Sequence, residues 1–509
     1  MYKLHIHGDD PIARIDPNLY GHFTEHIGGV FYDGIWVGED SAVPNIRGFR
    51  MSLIEKMRQI HAPVIRWPGG CFAEIYDWRD GIGPRKNRPT RINWWTRSDG
   101  RYEPNAVGTH EFVDFCRLIG AEPYFAANIT AMTPLAIRDW IDYCNSPAGS
   151  TTLARQREAN GAREPFSVKY WGVGNETWGG GGNMTGEMYA HEYRKYAMLM
   201  DNACPGLELI CSGANHADWH WPNDVLRVIE PSAKLLSGLS LHFYCGAAGD
   251  PLSFSEEEWY RQLRQALDVE RAIERNWGFV VGYGLENRAR LVIDEWGCWH
   301  PGGTGPSARM KEYGIEPAPN NPQGVQNLFE QQSTMRDAMV AAATLNLFNN
   351  HAEKVRMANI AQLVNNLHCL FLAGGDRFLC TPTYHVFDMM QAHQGGDALR
   401  ISGSRGEIAR DKFAVPNVSV SASVKGGKLA VTAANLSVTE STSLELIPCG
   451  FRFGSTAKAE YLTLTSADPH DCNTYDEPEK VSLKRETLPF DGRLTVPAFS
   501  IVTVIADIE

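Results

Sequence analysis

No stretch of about 18 consecutive apolar residues occurs in the sequence, and the opening MYKLHIHGDDPIARIDP has neither the apolar centre nor the small-residue cleavage site of a secretory leader. The expectation is a cytoplasmic protein that does not enter a membrane. A basic surplus is also missing: 48 Lys and Arg stand against 60 Asp and Glu, a formal net charge of -12. Nucleic acid and anionic membrane both need a basic face, so neither is expected as a partner. The eleven cysteines include no CxxC pair. In a reducing compartment they read as small buried thiols, with no disulfide framework and no zinc site. No Gly-rich dinucleotide fingerprint follows an early strand, and there is no internal repeat or low-complexity tract. His216 and His220 in HADWH have the spacing of a helical metal pair. They follow a strand in a loop without an obvious third ligand, so no metal and no cofactor is expected.

What is present is a chain of 509 residues, 43% of them hydrophobic, enough for one large domain and a smaller one. Short runs rich in Val, Ile, Tyr and Phe recur between segments of helical periodicity: LYGHF (19–23), APVIRW (62–67), EPYFAAN (122–128), VKYWGVG (168–174), LELICSG (207–213), LSLHFY (239–244), RLVIDEW (290–296) and VRMANIA (355–361). Eight strands joined by helices predict a closed (β/α)8 barrel over residues 16–385, with a doubly wound open sheet as the alternative. Such a barrel takes roughly 250 residues, which leaves room for long loops at 76–108, dense in Arg and Trp, and at 300–323, dense in Gly and Pro. From residue 386 the texture changes to period-two runs such as VSVSASVKGG and RLTVPAFSIVTVIAD. These predict an antiparallel, jelly-roll-like β-sandwich over 386–509, completed by the alternating residues 1–15.

Chemistry in a barrel of this type sits where the strands end. Glu176 follows the fourth run and Glu295 closes the seventh, so both carboxylates are delivered to one rim. A single Glu at a strand end ordinarily caps a helix or pairs with an Arg. Two of them, each near a tryptophan, instead fit glycoside hydrolysis, which needs one carboxyl to protonate the leaving oxygen and a second to attack or to activate water. Trp178 and Trp296 suit the C–H face of a sugar, with core packing as the alternative for each. The four glycines after Trp178 allow a close backbone approach or an otherwise forbidden turn. His242, two residues before Tyr244, either orients a carboxylate or is a satisfied core histidine. The Arg79–Arg101 stretch with Trp94 and Trp95 reads as a wall of the site or as a solvated charged surface.

The segments YGHFTEHIGG, IRWPGGCFAEIYDWRDGIGP, WGVGNETWGGGGNM, LHFY, VIDEWG and VRMANIAQLVN, in this order through the whole barrel region, resemble glycoside hydrolase family 51, chiefly α-L-arabinofuranosidases. The resemblance implies a barrel with a β-sandwich that the N-terminal segment completes. It implies Glu176 as acid/base and Glu295 as nucleophile of a retaining mechanism, with the carboxyl groups about 5 Å apart. It further implies Asn175 on the sugar 2-hydroxyl, Tyr244 on the nucleophile, and Glu25, Arg66 and Gln362 around the innermost sugar. Asn175 also stands in a glycosylation sequon, like Asn128, Asn183, Asn417 and Asn435, which goes unused without secretion. Cys71 in PGGC replaces the Asn of many members, as it does in some others, so it either contacts a sugar hydroxyl or is a buried thiol. The expected substrate is an arabinose-containing oligosaccharide of arabinan or arabinoxylan, attacked from its non-reducing end without a cofactor, and the expected assembly is a homo-oligomer, trimer or hexamer. β-Xylosidase or endo-β-1,4-glucanase activity on the same scaffold and a catalytically inactive carbohydrate-binding protein are the alternatives.

Overall fold

Runs as uniformly apolar as these need cover on both faces, which a parallel sheet wrapped in helices gives them. The computed structural model describes residues 1–216, 218–246, 248–300, 329–454 and 458–509. An opening strand β1 (Tyr2–Arg14) is followed by β2 (Gly21–Phe23), β3 (Val64–Trp67), β4 (Glu122–Ala127), β5 (Tyr170–Val173), β6 (Glu208–Asn215), β7 (Gly238–Gly246), β8 (Arg290–Trp299) and β9 (Val355–Ala361). Each of β2 to β9 falls on one of the eight apolar runs. These eight close a barrel, β6-β7-β8-β9-β2-β3-β4-β5, parallel at every seam. The open-sheet alternative is thereby excluded.

The helices form where apolar residues recur at three- and four-residue spacing. In α1 (Thr109–Ile119) the buried apolar side chains are Phe112, Val113, Phe115, Cys116 and Ile119, and the helix stops at Gly120, whose φ of +81° suits a residue without a Cβ. α2 (Pro134–Asn145) starts on Thr133, whose hydroxyl accepts from Ala136 N–H. α3 (Gly186–Ala203) likewise starts on Thr185, capping Met188 N–H. α4 (Met335–Asn350) is apolar nearly all round and is buried from Met335 to Asn349. It lies between the barrel and the C-terminal sheet, where Asn346 and Asn349 bond the hydroxyls of Ser419 and Ser421.

The C-terminal residues supply β10 (Asp397–Ser402), β11 (Val418–Lys425), β12 (Lys428–Asn435), β13 (Thr442–Cys449), β14 (Lys458–Leu464), β15 (Leu483–Pro489), β16 (Arg493–Val496) and β17 (Ile501–Asp507). With β1 they make one nine-stranded sheet, β15-β14-β17-β12-β11-β10-β1-β13-β16. Strands from both ends of it bury side chains in a shared core that includes Leu4, Val420, Leu444, Ala459, Leu494 and Val504. The pairing departs from a purely antiparallel expectation at one seam, since β1 runs parallel to β13. Hairpins impose antiparallel pairing only on chain neighbours, and β1 arrives from the far end of the sequence. The loop expected at 300–323 lies outside the described residues apart from His300.

Candidate active site

The barrel strands deliver polar side chains to the same end. β3 carries Arg66, β7 carries His242 and Tyr244, and β8 carries Asp294 and Glu295; Asn175 and Glu176 follow β5, Gln362 follows β9 and Glu25 lies two residues beyond β2. Nearer the strand N-termini the barrel is filled by an apolar layer of Val64, Tyr124, Tyr170, Ile210, Val292 and Met357. The polar groups stand above a dry floor, where electrostatic interactions are strong.

One irregularity in β8 sets the arrangement. Ser240 pairs with Val292 but His242 with Glu295, and on the other side Ile293 pairs with Ala358 but Trp296 with Ile360. Three residues of β8 therefore oppose two on each neighbour, a β-bulge. It turns Asp294 and Glu295 both inward and sends Trp296 outward, where the indole packs against Phe348, His368 and Phe387 at 1% exposure. The expectation that Trp296 faces the sugar is therefore corrected, because the bulge places it in the layer between strands and helices. Trp299, on the inward phase three residues later, takes its place in the pocket wall, with its ring 5.2 Å from Tyr244 and 4.9 Å from Phe329.

Glu295 is held through both oxygens. Arg66 Nη1 donates to Oε1 at 2.8 Å and Tyr244 Oη donates to Oε2 at 2.8 Å. Burial alone would raise its pKa. The charges of His242 and Arg66 and the Tyr244 hydroxyl outweigh burial and hold the carboxyl below its ordinary value. Arg66 also donates to Asn175 Oδ1 at 2.6 Å and lies 3.9 Å from Asp294, which accepts from Tyr124 Oη at 3.1 Å. Gly70 leaves room for this cluster, since a Cβ there would stand 3.0 Å from Glu295 Oε1.

Glu176 reaches the site from a backbone turned into the left-handed region, with φ of +42° just after Gly174 at +87°. A non-glycine residue there is uncommon and marks a position fixed by its surroundings. Its side chain is 21% exposed against 7% for Glu295. His242 Nδ1 lies 2.9 Å from Glu176 Oε1 and 3.5 Å from Glu295 Oε2. The ionised Glu295 can only accept, so the Nδ1 that lies between the two carboxyl groups carries a proton. Burial disfavours the cation, but the two carboxylates overcome it and raise the His242 pKa. One oxygen of each carboxylate and the imidazole nitrogen all fall within 4.8 Å of one another. A spacing near 5 Å fits a nucleophile beside an acid/base, whereas a pair that admits water between them stands about 6.5–9.5 Å apart.

The remaining positions frame this pair. Glu25 accepts from Phe72 N–H at 2.9 Å, Trp95 Nε1 at 3.2 Å and Gln362 Nε2 at 3.1 Å, and burial, with the charge of Glu295 adding, pushes its pKa up to about 7. Cys71 Sγ lies 4.0 Å from Glu176 Oε2, and burial and the surrounding carboxylates push its thiol pKa up, so it stands there protonated. Half-buried Trp178 is fixed by its Nε1 donating to Gly213 O at 3.2 Å. Among the described residues, Asn175 Nδ2 and Gln362 Oε1 are buried without a hydrogen-bond partner, which is the state expected of groups that bond a ligand. A pocket of about 700 Å³ opens over these groups, lined by Glu25, Cys71, Glu176, Trp178, Tyr244, Glu295 and Gln362 and also by Trp95, Trp299, Phe329 and His216. Arg66 and Asn175 are not among its lining residues; Arg66 bonds Glu295 and Asn175.

The Arg-rich loop divides. Trp95 enters the pocket wall and Arg91, paired with Asp80, is a solvated surface charge, whereas Arg88, its side chain 3% exposed, fits neither reading and is buried against Glu111. A further residue was missed from the sequence. Buried Glu74 accepts from the backbone N–H of Asn175 at 2.6 Å and of Ile129 and Thr130 at 3.1 Å each, and burial pushes its pKa up to about 7. Only its place in CFAEI, just after the tight PGG turn, hinted at it. Among the described residues, two groups have donors close enough to hold a metal: Glu176, His242 and Glu295, and the buried Cys298, His300 and Asp337. His216 accepts from Tyr244 N–H and His220 stacks on Trp219, so the two do not converge on one point.

Comparison with known proteins gives a consistent picture. Residues 56–248 match the family model of the alpha-L-arabinofuranosidase 1 domain, and residues 294–500 that of the alpha-L-arabinofuranosidase C-terminal domain. An intracellular exo-alpha-L-arabinofuranosidase of Bacteroides ovatus is 33% identical over 98% of this chain and 94% of its own length. A probable alpha-L-arabinofuranosidase C of Aspergillus fumigatus is 30% identical over 98% and 96%. Among solved structures, the GH51 arabinofuranosidase of Xanthomonas axonopodis pv. citri superposes with a TM-score of 0.90 at 34% identity, covering 100% of both chains. The arabinose complex of the Thermotoga maritima alpha-L-arabinofuranosidase gives 0.81 at 28%, also over 100% of both.

Proposed function

Because the chain belongs to glycoside hydrolase family 51, we infer that it is an α-L-arabinofuranosidase and propose that it removes terminal arabinofuranose from arabinan or arabinoxylan oligosaccharides with retention of configuration. The observation that carries this reading is the pair Glu176 and Glu295, one oxygen of each within 4.8 Å, bridged by His242. In the first step Glu176 gives its proton to the glycosidic oxygen as the C1–O bond breaks, and Glu295 Oε bonds to C1. The leaving sugar departs as a free hydroxyl and the sugar remains esterified to Glu295. In the second step Glu176, now a carboxylate, takes a proton from water. That water attacks C1, Glu295 leaves as a carboxylate, and both groups return to their starting states.

The electrostatics favour this assignment of roles. Glu295, held below its ordinary pKa, is ionised and ready to attack, while Glu176 is the more exposed of the two, as suits a group that exchanges protons with the leaving oxygen and with water. Asn175, whose Nδ2 has no partner among the described residues, is assigned to the sugar 2-hydroxyl on the family resemblance, a contact that strengthens as positive charge develops at C1. Glu25, Arg66 and Gln362 complete the innermost site, and Cys71 contributes a thiol beside Glu176. A cytoplasmic location is part of the proposal, supported by the intracellular relative. No helix among the described residues is long and apolar enough to cross a membrane. A trimeric or hexameric assembly is proposed on the family resemblance, with light scattering as its check.

The test is hydrolysis of aryl α-L-arabinofuranoside, β-D-xyloside and β-D-glucoside by the wild type and Glu295→Ala, with methanol present to capture the sugar. Preference for the arabinofuranoside, loss in the variant and a methyl α-arabinofuranoside product are expected. A β-configured product would overturn retention, and preference for the xyloside or glucoside would overturn the substrate.

A further inference from the structure

Three consecutive loops of the barrel rim meet on one carboxyl group. Glu74 lies in the helical turn Cys71–Ile75 that follows β3, at 0% exposure. Its Oε1 accepts from Asn175 N–H at 2.6 Å, in the loop after β5, and its Oε2 accepts from Ile129 and Thr130 N–H at 3.1 Å each, in the loop after β4. Its neighbours in the same turn reach the site as well. Phe72 N–H donates to Glu25, and Cys71 Sγ stands 4.0 Å from Glu176 Oε2.

Among the described residues the partners of Glu74 are backbone amides and Thr130, with no cation to offset a buried charge, which is a costly arrangement. What a carboxylate does here that an amide side chain cannot is accept at both ends at once. One end holds the turn that carries Glu176. There φ is +42°, a conformation that glutamate adopts only where its surroundings impose it. After the turn, Glu176 O accepts from Gly179 and Gly181 N–H at 2.7 and 3.1 Å. Before it, Arg66 holds the side chain of Asn175 at 2.6 Å and Glu74 holds its backbone. Glu74 is not among the residues that line the pocket.

We propose that Glu74 is a positioning residue for the glycosidase reaction. By tying Asn175 N–H to the loop after β4, it keeps Glu176 at the angle from which its proton is given to the leaving oxygen and taken back from water. This rests on the functional reading above. Glu74 itself touches neither the sugar nor the reacting atoms.

The experiment uses Glu74→Gln, which keeps the shape but accepts at one end only. Its oxygen is expected to stay with the two donors Ile129 and Thr130, leaving its NH2 against Asn175 N–H, donor facing donor, so that the turn relaxes. On an arabino-oligosaccharide kcat/KM, which reports the first step, should fall about ten- to a hundredfold, the scale of a misplaced catalytic group. On dinitrophenyl α-L-arabinofuranoside, whose leaving group needs no proton, kcat/KM should be unchanged. Its kcat, limited by the second step, should fall and recover in sodium azide, which attacks C1 without a base, expels Glu295 as a carboxylate and yields the arabinosyl azide.

Equal loss of kcat/KM on both substrates, no loss on either, or a kcat that azide leaves low overturns the proposal. Glu74→Ala, whose vacated space water can enter, is the second variant and should show the same split between leaving groups. If neither variant folds, by its thermal transition, Glu74 belongs to the fold and the proposal falls. Wild-type protein inert toward every arabinofuranoside would sink the functional reading itself, whereas an active wild type and no split in Glu74→Gln sinks this proposal alone.

Discussion

Replacing Tyr244 by Phe removes one hydroxyl and little else. The ring retains its edge-on packing against Trp299, at 5.2 Å and 83°, while Glu295 Oε2 loses the donor that stood 2.8 Å away. A hydrogen bond to a charged group is worth about 1.5–3 kcal/mol, and each 1.36 kcal/mol is a factor of about ten. Burial and the nearby carboxylate push the Tyr244 pKa well up, so it donates throughout the working range and favours the ionised form of Glu295. Glu295 has a depressed pKa, is active when ionised, and loses activity as the pH falls through that depressed value. Removing the donor moves the acid limb of the profile to higher pH. On that limb kcat/KM falls about ten- to a hundredfold, and on the plateau, where Glu295 is ionised in both proteins, it falls less. The assay is kcat/KM on an aryl α-L-arabinofuranoside across the whole pH range. A uniform loss at every pH, with the limb in place, would refute the reasoning, because it would mean that Tyr244 positions the substrate and leaves the ionisation of Glu295 untouched.

Glu176→Ala should lower kcat/KM, which reports the first step, about 10²- to 10⁴-fold on substrates with a sugar leaving group and far less on a dinitrophenyl arabinofuranoside, whose leaving group needs no proton; equal losses on both would remove the acid role. Trp296→Ala should cost about 3–5 kcal/mol of stability, seen as a lower thermal midpoint, with KM unchanged, while Trp299→Ala should raise KM; the reverse pattern would contradict the outward turn at the bulge. The raised His242 pKa means its paired cation stabilises the fold below the unfolded histidine value of about 6.5 and ceases to as the pH rises through the folded value. The gap in urea midpoint between wild type and His242→Gln should therefore be widest at acid pH and close on the alkaline side, and a gap independent of pH would count against the bridge.

The barrel was legible because strands covered on both faces are predominantly apolar, and each of the eight runs from LYGHF to VRMANIA is mostly so, broken chiefly by the polar residues that build the site. The mixed pairing of the C-terminal sheet was less so. Alternation shows that β1 has two faces but says nothing of which strand it will join or in which direction. In the site, Glu176 and Glu295 stood out because each ends such a run. Trp296 was misplaced because a bulge adds a residue without changing the composition, and the same bulge hid Trp299, which simple alternation puts on the wrong face. Glu74 was invisible for a different reason: its partners are backbone amides 55, 56 and 101 residues away, and backbone groups leave no trace in a sequence.

The turn at Asn175–Glu176 has a consequence for anyone who would redesign the protein. With φ of +42°, position 176 is one where glycine or asparagine would sit more comfortably than glutamate. A search for sequences that stabilise this backbone would replace the very side chain that the chemistry uses, and would score the loss as an improvement. Thermal tolerance and turnover thus select opposite residues at this one position, and the glutamate found there records which of the two has been kept.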